Sequence, residues 1–219
     1  MTRVDGSELD IVNAARVSHA KWKDAFDDSD IGLVKYLIFH EHDSPLRHVG
    51  ISFRIKCPLF VHAQLKTHTV GVSTNTQSGR YVKFLEEFYH FDWRVKGNVK
   101  HGQTALANEK ISNKAMMISN KNIASCLNAY YSLLKLGIAT EQARSMLPTS
   151  VMTNCISHFS LSALAHFYYL RSASNAQLEI QEIALQMEPF VRQAFPNCWR
   201  TYKKVIEIKR KYMKELQAA

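Results

Sequence analysis

The sequence predicts a protein built from both helices and strands. Apolar residues recur at helical spacing along much of the chain, and one segment alternates strictly between apolar and polar residues. The chain has 219 residues, of which 46% are hydrophobic, so it is long enough to bury a sizeable core. No internal repeat or low-complexity linker divides the sequence. We therefore expect one domain over residues 1–219.

Two helices are predicted near the start of the chain. Ser7 precedes a helix that runs from Glu8 to Val17, with apolar residues along one side. A second helix is expected after the acidic segment 28–30, because these side chains can cap a helix and suit the positive end of its dipole. This helix ends before Pro45.

The segment VGISFRIKCP, residues 49–58, predicts a half-buried strand. Its apolar side chains all fall on one face of an extended chain, and the polar ones fall on the other. Residues 59–66 then predict a short helix. The stretch that follows is rich in Thr and Ser and closes on Ser-Gly-Arg-Tyr at residues 78–81.

The second half of the chain is mostly helical in pattern, apart from one weak region. Residues 94–122 show no period, so we expect a long loop there, with at most one short helix near Ala105 to Met117. The other helical segments are 123–136, 141–147, the apolar run 151–170 that ends in Arg171, 175–187, and a basic C-terminal helix at about 199–217.

The charge balance indicates an anionic partner without identifying it. There are 28 Lys and Arg against 19 Asp and Glu, a formal net charge of +9. Nucleic acid, a phosphorylated metabolite and a membrane surface are all compatible with this charge. Much of it lies in residues 200–214, where lysines alternate with an apolar stripe, so a solvated helix face is also expected. No DNA- or RNA-binding motif is recognisable.

The four cysteines have spacings that fit no metal-binding knuckle, so we expect them to be reduced and buried. The first ten residues lack the apolar core of a signal peptide, and no stretch approaches the roughly 18 apolar residues of a membrane span. The sequence alone therefore predicts a cytosolic protein.

Three arginines are candidates for binding an anion. Arg80 follows Ser78 and Gly79, and a hydroxyl, a close backbone approach and a bidentate donor together suit a phosphate. Arg144 precedes a proline and Arg171 ends an apolar segment, so both could point into one cleft. Taken singly, each of them fits a surface position or an ion pair better than an anion site.

Histidines cluster between His40 and His68, close to two acidic residues. They could act as general bases or metal ligands, but no HExxH or comparable ligand spacing is present. We therefore predict no metal site.

Several segments resemble the flavin-dependent thymidylate synthases in both order and spacing. They are AARVS at 14–18, HEHDSPLRHVGISFRIKCPLFVHAQ at 40–64, the stretch that ends in SGRY at 78–81, ARSMLP at 143–148 and LRSASNAQLEIQ at 170–181. The similarity covers most of the chain and lapses only through about residues 92–122 and the basic tail. It implies an α+β fold, with a twisted, mainly antiparallel sheet packed with helices.

The resemblance also implies a binding site for deoxyuridylate (dUMP). The implied dUMP-binding residues are Gln64, Ser78, Gly79, Arg80, Arg144 and Arg171. Ser78, Arg80 and Arg144 would hold the phosphate. Arg171 would be the catalytic residue, because its charge favours the enolate-like form of the pyrimidine and so makes carbon 5 nucleophilic. The Pro-Cys-His nucleophile motif of the unrelated classical synthase is not in the sequence.

A flavin, FAD, is implied as the group that carries the hydride. Its implied neighbours are Ser18, His42, Ser44, Thr67, His68, Thr69, Asn75, Thr76, Ser160 and His166. NADPH and methylenetetrahydrofolate are implied as co-substrates. The family also implies a homotetramer whose active sites are shared between subunits.

The sequence departs from the family pattern on the flavin side. Thr67-His68-Thr69 replaces the Arg-His-Arg of the family hallmark, and Thr76 replaces its glutamate. Further departures are Ser160-Leu161-Ser162 for Asn-Ala-Arg, His166 for an asparagine, and Arg47 for a glutamate. Viral members also have a longer, less arginine-rich version of the hallmark, so the chain is similar to a divergent, phage-type member. Lys66 and Arg47 are candidates to replace the missing charges.

Three functions are compatible with these departures. The first is reductive methylation of dUMP to dTMP, the ordinary family reaction. The second is hydroxymethylation of dUMP or dCMP, in which water traps the methylene carbon and less flavin chemistry is needed. The third is a non-catalytic relative that binds nucleotide.

Overall fold

The computed structural model describes residues 1–80, 87–97 and 104–218. The helices are α1 Glu8–Arg16, α2 Asp28–Phe39, α3 Asp43–Leu46, α4 Leu59–Leu65, α5 Glu109–Lys135, α6 Thr140–Ala143, α7 Leu161–Arg171, α8 Leu178–Ala194 and α9 Pro196–Ala218. The strands are β1 Arg3–Asp5, β2 Gly50–Pro58, β3 Val72–Thr76, β4 Arg94–Lys96, β5 Thr104–Leu106 and β6 Met152–Ser160. Short 3-10 helices follow α1 and α6, at Val17–His19 and Arg144–Met146.

The strands form a four-stranded sheet in the order β1-β2-β6-β3 and a separate pair, β4-β5. Strands β1 and β2 are antiparallel, with Val4 opposite Ile51. Strands β4 and β5 are also antiparallel, with Val95 opposite Ala105. Mixed helix and antiparallel sheet confirms the predicted α+β class.

The chain forms two compact units whose segments alternate along the sequence. Unit 1 consists of Met1–Arg54, Lys66–Thr74 and Ile156–Ala219, and unit 2 consists of Ile55–Leu65 and Asn75–Cys155. The chain therefore passes from one unit to the other four times. That both units belong to a single domain stays a prediction.

Strand β2 is half-buried, as its alternation predicted. Ile51, Phe53, Ile55 and Cys57 are all buried, whereas the polar residues between them are half-buried or exposed. In unit 1 the Phe53 ring contacts Phe159 edge to face, with centroids 6.4 Å apart. The apolar face of the strand thus forms part of the core.

The first two helices begin with acidic caps. At the start of α1, the Asp10 carboxylate accepts a hydrogen bond from the Ser7 backbone N–H at 2.7 Å. At the start of α2, the capping residue is Asp27, whose carboxylate accepts from Ser29 N–H at 2.9 Å. The prediction that α2 begins only after residues 28–30 is wrong, because these residues form its first turn.

The N-terminal helix is held by residues from the far end of the chain. The Glu8 carboxylate accepts from the Cys198 backbone N–H at 2.7 Å and from Asn197 Nδ2 at 2.8 Å. Glu8 is buried. The bond from Cys198 satisfies a backbone donor at the start of α9, where no preceding turn can do so.

The predicted long loop over 94–122 is wrong. Its described residues contain β4, β5 and the start of α5, which begins at Glu109 rather than at residue 123. Asn108 caps this helix by accepting a hydrogen bond from Ile111 N–H at 3.0 Å. The Asn cap compensates for the weak apolar period in the sequence. Tyr81 and residues 98–103 lie outside the described residues.

The apolar run 151–170 is not one helix. It forms strand β6 and then helix α7, and Ser160 marks the change. The Ser160 hydroxyl accepts from Ala163 N–H at 3.3 Å and so caps α7. A continuous apolar run does not by itself separate a buried strand from a buried helix.

The basic helix α9 is only partly a solvated face. Lys203 Nζ donates to the Tyr168 hydroxyl at 2.9 Å, and Arg210 Nη2 donates to the Tyr169 carbonyl at 2.8 Å. These two cations are used to attach α9 to α7. Part of the net charge therefore has a structural role within unit 1.

All four cysteines are free thiols, as predicted, but only three of them are buried. Burial raises the pKa of Cys57 to about 12, which keeps its thiol protonated. Cys126 on α5 is half-buried. Among the described residues, no helix combines the length and the apolar character needed to cross a membrane.

Candidate active site

Three cavities of unit 1 share Asp43, the first residue of the short helix α3, in their linings. Each cavity is named here after one residue of its lining. The His68 cavity measures about 330 Å³, the His42 cavity about 560 Å³ and the Tyr202 cavity about 320 Å³. The residue before His42, Glu41, has a positive φ of 56°, a backbone conformation that non-glycine residues seldom adopt. This turn directs the chain from α2 into α3, where the three linings meet.

The His68 cavity contains four of the residues implied as flavin neighbours. They are Thr67, His68, Thr69 and His166, and Asp43, Arg47 and Ser162 provide further polar atoms. The segment that carries the threonines ends at Gly71, which has a φ of +68°. A Cβ added at this glycine would come within 2.5 Å of the Ser160 hydroxyl oxygen. The position therefore favours glycine on both backbone and steric grounds.

Arg171 is held at two residues of the His68 cavity lining. Its Nε donates to His68 Nε2 at 2.9 Å, and its Nη2 donates to Thr67 Oγ1 at 3.2 Å. Because Nε2 of His68 accepts, the proton of a neutral imidazole is at Nδ1. The structure thus joins the implied catalytic arginine to two implied flavin neighbours.

Burial, together with the smaller effects of the charges of Arg171 and His166, lowers the pKa of His68 to about 4. The ring is consequently neutral at pH 7. A neutral imidazole can accept the Arg171 hydrogen bond, whereas an imidazolium would repel the guanidinium. The low pKa and the hydrogen bond therefore support each other.

The folded state is expected to lose stability in acid because of His68. In the unfolded chain this histidine has its ordinary pKa of 6.5. Between pH 6.5 and 4, His68 is therefore protonated in the unfolded state but remains neutral in the folded state. Folding stability should fall through this window by about 1 kcal/mol, once solvent screening of a half-buried group is allowed for. Chemical denaturation at several pH values measures the effect.

The control for this measurement is a pair of variants. His68→Gln should lose the pH dependence in that window, and His19→Gln, at an exposed position of the same unit, should keep it. Equal slopes for wild type and His68→Gln would contradict the assignment.

The His42 cavity collects three more implied flavin neighbours, Ser18, His42 and Ser44. Arg47 lines both this cavity and the His68 cavity, and its Nη2 lies 3.6 Å from the Asp43 carboxylate. It is the residue expected to replace a missing charge. Lys66, the other candidate, is exposed and lines none of the three cavities.

The remaining implied flavin neighbours lie outside these cavities. Ser160 is buried and caps α7. Asn75 and Thr76 end strand β3 in unit 2. The Thr76 hydroxyl lies 2.9 Å from His62 Nε2, a partner within the same unit. The structure therefore groups seven of the ten implied residues in two cavities and leaves these three elsewhere.

Unit 2 contains five of the six residues implied for dUMP: Gln64, Ser78, Gly79, Arg80 and Arg144. The sixth, Arg171, belongs to unit 1. The Ser78 hydroxyl accepts from Arg80 N–H at 3.3 Å, which folds the Ser-Gly-Arg segment into a tight turn. Gly79 is buried within it.

A single residue of α6, Glu141, connects Arg80 and Arg144. Arg80 Nε lies 2.7 Å from the Glu141 carboxylate, and Arg144 Nε donates to the Glu141 carbonyl at 3.2 Å. Two implied phosphate ligands thus meet at one residue. Glu141 was not among the residues predicted from the sequence, although its position three residues before Arg144 on a helical segment was a signal that could have found it.

No group of three or more His, Cys, Asp or Glu suited to holding a metal ion occurs among the described residues. The clustered histidines are partly explained by ring contacts. The rings of Tyr36 and His40 have centroids 4.3 Å apart, and those of Tyr36 and His42 have centroids 5.5 Å apart.

Comparison with known proteins decides the family. The model of the thymidylate synthase complementing protein family matches residues 1–197. The chain belongs to this family. Its relatives include the flavin-dependent thymidylate synthases of Kosmotoga olearia, 32% identical over 92% of this chain and 88% of that protein, and of Thermotoga neapolitana, 35% identical over 88% and 84%.

A solved structure of similar fold adds to the family comparison. The UMP/dUMP methylase PolB from Streptomyces cacaoi, bound with 5-Br dUMP, is 28% identical, covers 93% of both chains and has a TM-score of 0.82. The same enzyme bound with 5-Br UMP gives a TM-score of 0.81.

In this member of the thymidylate synthase complementing protein family, the side chains that line the His68 and His42 cavities suit a flavin. The polar edge of an isoalloxazine ring needs hydrogen-bond donors and acceptors. The cavities provide them as the neutral imidazole of His68 and the hydroxyls of Thr67, Thr69 and Ser44. Arg47 supplies a cation between two cavities, where a phosphate could be held. The donor set therefore fits the cofactor named in the relatives.

Proposed function

We propose that this chain transfers a one-carbon unit from methylenetetrahydrofolate to carbon 5 of dUMP and yields dTMP. The observation that carries the proposal is the Arg171 guanidinium, bonded to His68 and Thr67 at the lining of a cavity with a flavin-compatible donor set. The names of the family's relatives support a thymidylate synthase-type methyltransferase. Bound 5-Br dUMP in PolB supports a pyrimidine nucleotide as substrate.

The phosphate of dUMP would bind Ser78, Arg80 and Arg144. Arg80 and Arg144 supply guanidinium donors on either side of Glu141, and Ser78 supplies a hydroxyl. Arginine binds phosphate with two parallel hydrogen bonds, which fixes both position and orientation. Gln64 and Gly79 complete the proposed contacts.

Arg171 would act on the pyrimidine ring. As carbon 5 attacks the methylene group, negative charge develops along the ring amide, and a guanidinium fixed in advance stabilises that charge without having to reorganise. The hydrogen bonds to His68 and Thr67 provide this fixation. Because His68 is neutral and Thr67 carries no charge, neither hydrogen-bond partner offsets the positive charge of Arg171.

The cofactor would be FAD, which supplies a hydride when it has been reduced by NADPH. The residues proposed to hold it line the His68 and His42 cavities: Ser18, His42, Ser44, Arg47, Thr67, His68, Thr69 and His166. These residues would position the ring, bind its phosphates and keep water from the reacting atoms.

Hydroxymethylation is the second candidate, and one feature favours it. The threonine side chains of residues 67 and 69 line the His68 cavity where the family hallmark has two arginines. Each hydrogen bond to a charged group contributes roughly 1.5 to 3 kcal/mol, so the substitution should weaken flavin binding. A product that retains the oxygen of water requires no net hydride.

One set of incubations distinguishes these reactions. Purified protein is mixed with dUMP and methylenetetrahydrofolate, with and without NADPH. The mass of the nucleotide product is then measured by mass spectrometry. A flavin absorption spectrum and an NADPH-dependent dTMP product are expected. A hydroxymethyl product without NADPH would establish the second candidate, and unaltered dUMP under every condition would reject both.

Neutralising Glu141 is expected to strengthen dUMP binding. The Glu141 carboxylate partly cancels the charge of Arg80, and both side chains are about half exposed. Glu141→Gln should lower the KM for dUMP by about threefold at low salt, since exposed ion pairs are worth below about 1 kcal/mol. The turnover number should not change.

Steady-state kinetics at two salt concentrations checks this prediction. The gain should shrink at high salt because screening weakens the field of Glu141. Glu109→Gln, at an exposed position of the same unit, is the charge-matched control. A KM that rises in Glu141→Gln would contradict the prediction.

Assembly into a homotetramer is proposed from helix α5. Of its 27 residues only Tyr130 is buried. Met117 and Ile118 are 71% and 63% exposed, an unusual fraction for apolar residues of a long helix. Other copies of the same chain would cover them, and analytical ultracentrifugation should show four times the mass of the chain.

We propose the cytoplasm as the site of action, where dUMP and folate are available.

A further inference from the structure

A buried histidine of unit 2, His62, has no part in the proposed reaction. It lies on helix α4 and is only 6% exposed, and a polar group buried to this extent needs hydrogen-bond partners. One partner is on strand β3, where the Thr76 hydroxyl lies 2.9 Å from His62 Nε2. A hydroxyl can donate or accept, so this bond forms with either tautomer of the ring. His62 therefore connects α4 to the end of β3.

The His62–Thr76 hydrogen bond joins two segments of the proposed dUMP site. Gln64 follows His62 by two residues on α4, and Ser78 follows Thr76 by two residues beyond β3. All four residues belong to unit 2. The bond is therefore close in sequence to a proposed dUMP ligand at each of its ends.

The residue after Thr76 is held from a second direction. The Gln77 backbone N–H donates to the Asn154 carbonyl of strand β6 at 2.8 Å, and Asn154 Nδ2 donates to Gln77 Oε1 at 3.1 Å. The tight turn of residues 78–80 begins directly after these two anchored residues. The position of the turn relative to Gln64 therefore depends on the contacts of Thr76 and Gln77.

The sequence departs from the family at one end of this bond. Thr76 stands where the hallmark has a glutamate, and the resemblance implied a flavin contact for it. Its hydroxyl lies instead at the imidazole of His62, and Thr76 lines neither cavity of the proposed flavin site. A short uncharged side chain can lie beside a buried imidazole without burying a carboxylate. The substitution at Thr76 thus has a physical partner in His62.

We propose that His62 is a positioning residue for the nucleotide: through Thr76 it fixes the turn of residues 78–80 relative to Gln64 before dUMP binds. A preorganised site loses less conformational freedom on binding, so the hydrogen bond should increase the affinity for dUMP. Thr76 then contributes to the nucleotide site rather than to the flavin site. The inference rests on the proposed function and adds a residue that acts through others.

Calorimetric titration of the purified protein with dUMP tests this role. Thr76→Val has nearly the same shape but no hydroxyl, and it should weaken dUMP binding about tenfold because the turn is less ordered in the free protein. Thr76→Ser keeps the hydroxyl and should keep most of the affinity. In steady-state kinetics the loss should appear in the KM for dUMP rather than in kcat.

The matched control is Thr74→Val, on the same strand. It removes a hydroxyl that lies 2.9 Å from Ser157 Oγ, and the affinity for dUMP should stay at the wild-type value. Both valine variants should melt at similarly lowered temperatures, so lost stability alone cannot produce the difference in affinity. In a His62→Ala background, Thr76→Val should change the affinity by less than about twofold, since the bond is already absent.

Two kinds of failure can be told apart. If wild type binds dUMP and Thr76→Val binds it equally well, or if Thr74→Val weakens binding as much, the positioning role is wrong while the proposed function stands. If wild type binds no dUMP, the proposed function is wrong and this role fails with it. A loss of flavin binding in Thr76→Val with unchanged dUMP affinity would return Thr76 to the flavin site and overturn the inference.

Discussion

Arg171→Ala is expected to lower the turnover of dUMP by about a hundredfold to a thousandfold, the usual cost of removing one preorganised donor from a developing anion. The side chain has two described hydrogen bonds, to His68 and Thr67, at the end of α7. Losing them should cost the fold about 1 kcal/mol. The effect should therefore appear mainly in kcat, with the melting temperature lowered by only about 2 to 4 °C.

Single-turnover kinetics and a thermal melt separate these quantities. Arg192→Ala removes an exposed arginine from α8 in the same unit and should retain wild-type turnover. Arg171→Lys keeps the charge but loses the planar donor fork, so it should fall between the two. An Arg171→Ala protein that turns over at the wild-type rate would remove this residue from the mechanism.

Asp30→Asn is expected to be among the most destabilising conservative changes in unit 1. The Asp30 side chain is completely buried, and its carboxylate accepts from Asp27 N–H at 2.9 Å, from Lys23 Nζ at 3.0 Å and from Arg16. Burial opposes its ionised form, but these bonds outweigh burial and lower its pKa. The amide would leave Arg16 without its buried counter-ion, at a cost of about 3 kcal/mol.

Urea denaturation at pH 7 measures this cost, and Asp28→Asn provides the control. Asp28 is exposed in the same helical turn, so its replacement makes the same charge change without removing a buried partner. Because the folded-state pKa of Asp30 is lowered, its contribution is present above the ordinary pKa near 4 and is lost as the pH falls below it. The difference between wild type and Asp30→Asn should shrink at low pH. A difference that stays constant would argue against the ion pair as its source.

Local pattern was enough to predict strand β2 and at least part of most helices, but none of the other strands. The strand at 49–58 has both a strict alternation and a proline at its end, so its face assignment was correct. Helix α1 carries its own start signal in Ser7 and Asp10. Helix α5 was missed in its first half because few of its side chains are buried there, and an unburied helix has no apolar stripe to show.

The candidate site was predictable only in part, because its partners are distant in sequence. Arg171 and His68 are separated by 103 residues, and no spacing rule connects them. Family resemblance supplied both residues, but it did not predict their hydrogen bond. Asp43 lies between two implied flavin neighbours, yet its position common to three cavities depends on the turn at Glu41.

The alternation of the two units along the chain has a consequence for biosynthesis. Unit 1 needs both Met1–Arg54 and Ile156–Ala219, and the buried Glu8 finds Asn197 and Cys198 only when α9 has been made. Most of unit 2 lies in the continuous segment Asn75–Cys155. During translation, unit 2 can therefore fold while α1 and α2 still wait for their partners. A ribosome stalled before α9 should carry a protease-sensitive N-terminal region beside a protected middle.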